Sequence, residues 1–101
     1  MINLKEFQKD IYNLKKERGF NTKDIYLEFC LLQGELSEAF LAHKKKLPDL
    51  GEELADVAIY LLGLSEILKI DLEKEIKNKH QKNKKRVYKR INGVLTKVKN
   101  D

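Results

Sequence analysis

Four acidic side chains come in two pairs of equal spacing. Glu35 and Glu38 stand three residues apart in GELSEAF, residues 34–40, and Glu53 and Asp56 do so in GEELADVAIYLL, residues 51–62. On a helix, positions i and i+3 are neighbours, with Cβ atoms about 5–6 Å apart. Two carboxylates held side by side next to apolar residues repel each other and are costly to desolvate. The pattern calls for a cation. If two such helices pack with their acidic stripes facing, four carboxylates meet near one level. An all-oxygen ligand set suits a hard ion such as Mg²⁺ or Mn²⁺. Mg²⁺ binds readily through one or two carboxylates together with substrate phosphates, which points to a nucleotide. Asp56 carries the most weight, because Asp is a poor helix former and its neighbours are nearly all apolar.

The elements that must position these groups read as helices. Leu4, Phe7, Ile11 and Leu14 recur at helical spacing, predicting an amphipathic helix over 3–18 that Gly19 ends. A second helix is expected over about 23–45, with Asn21 or Thr22 as its N-cap and Asp24 in its first turn. Its apolar residues cover more than one stripe, which implies contacts on two sides. Pro48 fits the first turn of a third helix over about 48–68, whose 51–62 stretch should be buried on most sides. Asp71 caps a fourth over about 72–86. The short link between the second and third helices favours antiparallel packing. In VYKRINGVLTKV, residues 87–98, apolar and polar residues alternate around Asn92-Gly93, a strong hairpin signal. A lone hairpin is marginal, so it should lean on a helix or a partner. The expected architecture is all-α, a four-helix bundle spanning 3–86 with a short β-hairpin tail over 87–98, in one domain covering 1–101.

The 101-residue length suits one modest core. The charged content of 37% and the absence of any long apolar run argue against a membrane span. Residues 1–20 are charged throughout, unlike a secretory signal. One cysteine, Cys30, allows no intrachain disulfide and reads as a small core residue, so a reducing, cytoplasmic setting is expected. The net charge of +5 is uneven. Residues 77–90 hold eight Lys or Arg and no acid, a segment that attracts nucleic acid, anionic lipid or a phosphorylated small molecule.

GELSEAF followed by EELADVAIYLL resembles the two helical motifs of the all-α nucleoside triphosphate pyrophosphohydrolases: the MazG-like proteins, dCTP pyrophosphatases and dimeric dUTPases. LKEFQKDIYNLKKERGF, residues 4–20, is similar to the first helix of the dCTP pyrophosphatase branch. Lys79, Asn83 and Arg86 resemble the K-x-x-x-N-x-x-R pattern of the last helix. The resemblance implies a helical bundle forming a homodimer or a dimer of dimers, with the site near the subunit interface. It implies Mg²⁺-dependent hydrolysis of a (d)NTP to the NMP and pyrophosphate, with Mn²⁺ as a possible substitute, in the clearance of surplus or non-standard nucleotides. Glu35, Glu53 and Asp56 would hold the metal. Glu38 would be a further ligand or orient the attacking water, so Glu35 and Glu38 are the catalytic candidates. Lys79, Asn83 and Arg86 would grip phosphate oxygens from one helical face.

The chain departs from that pattern at Leu32, where the family's first acidic motif usually has a Glu. Glu28, a further turn back, is too distant to replace it. The dCTP-type stacking aromatic is absent where Ala42 and His43 stand. Two other readings follow: a degenerate member that binds nucleotide without hydrolysis, and a basic helical module that contacts nucleic-acid phosphates. The second leaves the four aligned carboxylates unexplained, so nucleic acid is not the expected partner.

Overall fold

The computed structural model describes residues 2–99, with only the backbone of Lys99. Four helices are followed by a hairpin: α1 Leu4–Glu17, α2 Ile25–Lys44, α3 Leu50–Ile67, α4 Leu72–Lys84, β1 Val87–Ile91 and β2 Val94–Lys99. The all-α bundle with its two-stranded tail matches the expected architecture.

Local chemistry sets the boundaries. Asn3 accepts from the Glu6 N–H at 3.1 Å and starts α1. Asp71 does the same for α4 through the Lys74 N–H. The cap of α2 is Asp24, which accepts from the Leu27 N–H, rather than Asn21 or Thr22. Asn21 instead folds the preceding turn by accepting from the backbone of Lys23 and Asp24. Pro48 lies before α3, whose cap is Asp49. Two helices end on lysines in the left-handed region. Lys46 has φ 56° and Lys69 φ 59°, and the residues after them close six-residue loops: Leu47 N–H to the Ala42 carbonyl and Ile70 N–H to the Ser65 carbonyl, both 2.9 Å. That is the Schellman ending, usually supplied by Gly.

The central element is α3. It packs against α2 on one side and α1 on another, and α4 lies against α1. Gly63 lets α1 approach: a Cβ there would meet the Ile11 Cγ2 at 3.3 Å. The buried apolar residues are few and small, Ala39 and Ala42 of α2 with Leu62 and Leu64 of α3. The 51–62 stretch is therefore not enclosed as expected. Leu54, Ile59 and Leu61 are exposed, because among the described residues α3 packs chiefly against α1 and α2 and its remaining surface is open. Cys30 is likewise exposed on α2 rather than in the core. The molecule measures 53 × 35 × 31 Å, with a radius of gyration of 17.2 Å.

The hairpin forms as the Asn-Gly signal predicts. Asn92 (φ 52°) and Gly93 (φ 79°) both take the positive φ of a type I′ turn. Arg90 faces Leu95 and Ile91 faces Val94, and the register shifts between Val87 and Tyr88. Both faces are open, with Tyr88, Ile91, Val94 and Leu95 exposed.

Candidate functional site

Glu35 and Glu38 come from the middle of α2 and Glu53 from the first turn of α3. The tight turn between these helices brings the acid-bearing stretches to one level. Each of the three offers a carboxylate oxygen within 4.8 Å of the others. Asp56, one turn further along α3, lies outside this closest set. Its charge still acts on both Glu35 and Glu53.

The electrostatics are those of an acid cluster that forms no ion pair among the described residues. Desolvation raises the Glu35 carboxyl above the ordinary 4.5, and the charge of Glu38, a hydrogen bond to Glu38, and the charges of Asp56 and Glu53 push the same way. Glu53 rises for the same first reason, then through Glu38, Asp49 and Asp56. The Oε2 atoms of Glu35 and Glu53 are shielded from solvent and lack a hydrogen-bond partner among the described residues, as does the Oδ1 of Asp49. Shielded carboxylate oxygens without donors cost free energy unless something cationic meets them. The cluster thus has the ligand type, crowding and unspent oxygens that suit a divalent ion. Asp49 was not foreseen. It is the N-cap of α3, one turn before Glu53, and adds a negative charge there.

The phosphate-binding candidates lie elsewhere in the fold. Lys79 and Asn83 are on α4, which packs against α1 and not principally against the acid-bearing pair. Lys79 lines a cavity of about 420 Å³ with Glu75, Asn78, Gln81, Lys82 and Lys85. Arg86 does not continue that helical face. The helix ends at Lys84, and Arg86 follows the cap, its N–H reaching the Asn83 carbonyl at 3.2 Å. Its Nε is shielded and unpartnered among the described residues.

A larger cavity of about 700 Å³ opens between α1, α2 and α3. Phe7, Leu14, Leu31 and Ile59 make its walls apolar. Into it the fold places a charged network. Lys15 of α1 donates to Glu28 of α2, whose side chain is 1% exposed. The other Glu28 oxygen accepts from the Asn21 amide at 3.1 Å. The Lys15 ammonium also sits over the Tyr60 ring, 5.6 Å from its centre. Tyr60 joins cavity and cluster: it lines the cavity, and its hydroxyl is raised by desolvation and then by Glu35, Glu28, Asp56 and Glu38. Glu28 is therefore not a displaced metal ligand. A usable signal existed, since Glu28 precedes Glu35 by two turns and shares its face. Its partner Lys15 could not be found from spacing along one helix.

No family model matches the sequence, and no curated protein matches it. A solved structure does resemble the fold. The MazG-like pyrophosphohydrolase of cyanophage S-2L, described as bound to dGDP and three catalytic Mn²⁺ ions per active site, superposes with a TM-score of 0.75. The match covers 98% of this chain and 100% of that one, at 23% identity. Four helices and a hairpin in this order, with carboxylates clustered between α2 and α3, give this chain the MazG-like fold.

Proposed function

We propose that the chain is a metal-dependent nucleoside triphosphate pyrophosphohydrolase, converting a (d)NTP and water to the (d)NMP and pyrophosphate. The observation that carries this reading is the convergence of Glu35, Glu38 and Glu53 within 4.8 Å, with shielded oxygens of Glu35 and Glu53 that lack donors among the described residues. The nucleotide and Mn²⁺ ions described for the cyanophage protein of like fold support it.

Glu35, Glu38, Glu53 and Asp56 would hold Mg²⁺ or Mn²⁺. Such ions, when bound, offset the negative charge of a triphosphate and acidify nearby water. The protein's own contribution is positional. Glu35 and Glu53 are fixed by short helical spacings on two packed helices, so the oxygen cage is built before substrate arrives. Glu38 is the more exposed of the three and in this reading would accept a proton from the attacking water. Lys79, Asn83 and Arg86 would supply cationic and amide donors to phosphate oxygens.

The chain acts as a homodimer or dimer of dimers in this reading. Large apolar side chains stand exposed along the bundle, among them Phe29, Leu36 and Phe40 of α2 and Leu54 and Ile59 of α3. Monomers rarely leave so much apolar surface in water. No helix is long and apolar enough to cross a membrane among the described residues. We place the protein in the cytoplasm, clearing surplus or altered nucleotides.

The test is pyrophosphate release from a panel of (d)NTPs with Mg²⁺, with Mn²⁺ and with EDTA. Turnover that needs metal supports the assignment. A well-folded oligomer that binds nucleotide but releases no pyrophosphate would replace it with the degenerate reading that Leu32 suggests.

A further inference from the structure

The Lys15–Glu28 pair has no place in the phosphate chemistry, and its surroundings give it one. It lies in the wall of the 700 Å³ cavity, beside flat apolar surfaces from Phe7, Leu14 and Ile59. An ammonium carries three donors. One is spent on Glu28, and no second protein acceptor takes another among the described residues. The Glu28 carboxylate accepts from Lys15 on one oxygen and from Asn21 on the other, and each oxygen has capacity for one more bond. The cavity wall therefore holds a cationic donor immediately beside an anionic acceptor, their side chains 13% and 1% exposed.

Its position relative to the acidic cluster is set by both helices. Glu28 precedes Glu35 by seven residues along α2, about 10 Å of rise. Tyr60 follows Glu53 by the same count along α3, which runs back past α2. By these spacings cavity and cluster share one side of the helix pair, displaced by two turns, and Tyr60 lines the cavity.

We propose that this cavity takes the nucleobase, and that Lys15 and Glu28 select bases with a lactam edge. The proposal rests on the nucleotide reading of the acidic cluster. Guanine and hypoxanthine present a carbonyl oxygen beside a ring N–H, and uracil and thymine do likewise. Lys15 donates to the carbonyl and Glu28 accepts from the N–H. Guanine adds a neighbouring amino group that the same carboxylate can accept. Adenine and cytosine reverse the order, setting an amino group against the ammonium and a bare ring nitrogen against the carboxylate. Both contacts are then mismatched, and polar groups already out of water are left unpaired.

The experiment compares kcat/KM for pyrophosphate release from dITP and dATP, whose bases differ only along this edge, and from dUTP and dCTP, all with Mn²⁺. Calorimetric titration of dIMP and dAMP gives a readout that needs no hydrolysis. The oxo member of each pair should lead by at least about tenfold, with weaker use of N1-methyl-dGTP than dGTP. The double variant Lys15→Met with Glu28→Leu, its fold checked by circular dichroism, should bring the ratios toward one. Equal values for wild-type protein across both pairs, or a preference for adenine or cytosine, would overturn the proposal. So would a folded double variant that keeps the wild-type preference. If no triphosphate is cleaved yet dIMP binds tenfold better than dAMP, the hydrolase reading falls and the base selection stands.

Discussion

The Gln8 amide donates to the Ile70 carbonyl at 2.7 Å and to Glu66 Oε1 at 3.0 Å, fastening α1 to the end of α3. Gln8 is 2% exposed, so these bonds sit out of water. They anchor the first helix to the one that carries Glu53 and Asp56. Gln8→Ala removes both donors and leaves a cavity. It should cost about 1–3 kcal/mol, read as a lower urea midpoint at unchanged slope. An unchanged midpoint would mean that the contact is dispensable.

Lys46 and Lys69 hold a left-handed backbone that costs a residue with a Cβ about 1–2 kcal/mol. Replacing either by Gly relieves that strain but adds freedom to the unfolded chain, about 0.5–1 kcal/mol. The net expectation is stabilisation by roughly 0.5 kcal/mol at each site. Denaturant curves of the two variants decide it, and destabilisation at both would refute the strain argument.

The acidic cluster sets a pH signature. In the folded protein Glu35 and Glu53 are raised above 4.5, so folding disfavours their charged forms. The stability tied to each is fully present below that ordinary value and is lost as pH climbs through the raised one. Glu35→Gln cannot ionise. It should melt higher than wild type in EDTA at neutral pH, and the difference should vanish well below pH 4.5. A variant that melts lower at neutral pH would contradict this account.

Metal should reverse the same repulsion. At a hundredfold excess over its Kd, a ligand that binds only the folded state adds about 2.7 kcal/mol. In a domain of this size that is a rise in Tm on the order of 10 °C. Mn²⁺ or Mg²⁺ should produce it, EDTA should abolish it, and Glu53→Gln should shrink it. A flat melting curve across a metal titration would argue for a solvated acidic face.

Asp56→Asn separates the fourth acid from the other three. It lies outside the closest group yet acts on it electrostatically. Loss of groups that merely support metal ligands typically costs 10–100-fold, so loss of a ligand should lower metal-dependent kcat/KM by about 100-fold or more. A fall of less than threefold would leave Glu35, Glu38 and Glu53 as the working set.

Elements with strong local codes were legible in the chain. The four helices show apolar residues at helical spacing, Asp71 caps where its side chain can reach a free N–H, and Asn92-Gly93 supplies the two positive φ values that a type I′ turn requires. Three of the four acids were legible as a cluster because i, i+3 pairs flank a short turn, whereas Asp56, which carried the most weight in the sequence, stands outside the closest set. What escaped depends on groups far apart along the chain. Lys15 and Glu28 meet only when α1 docks, and a lysine among many on α1 carries no local mark of that contact. Cys30 and the 51–62 stretch looked enclosed because apolar composition does not tell an intramolecular core from an outward apolar face. Arg86 was placed on a helical face by counting turns, and α4 stops short of it.

The extended outline has a hydrodynamic consequence. A compact chain of this length has a radius of gyration near 13 Å, against 17.2 Å here. A free subunit would diffuse slowly for its 11.9 kDa and elute early from a sizing column. Two subunits closing their apolar faces would gain mass while losing surface, so dimer and monomer would elute closer together than their masses imply. Light scattering, which weighs the particle instead of timing it, is the measurement that separates them.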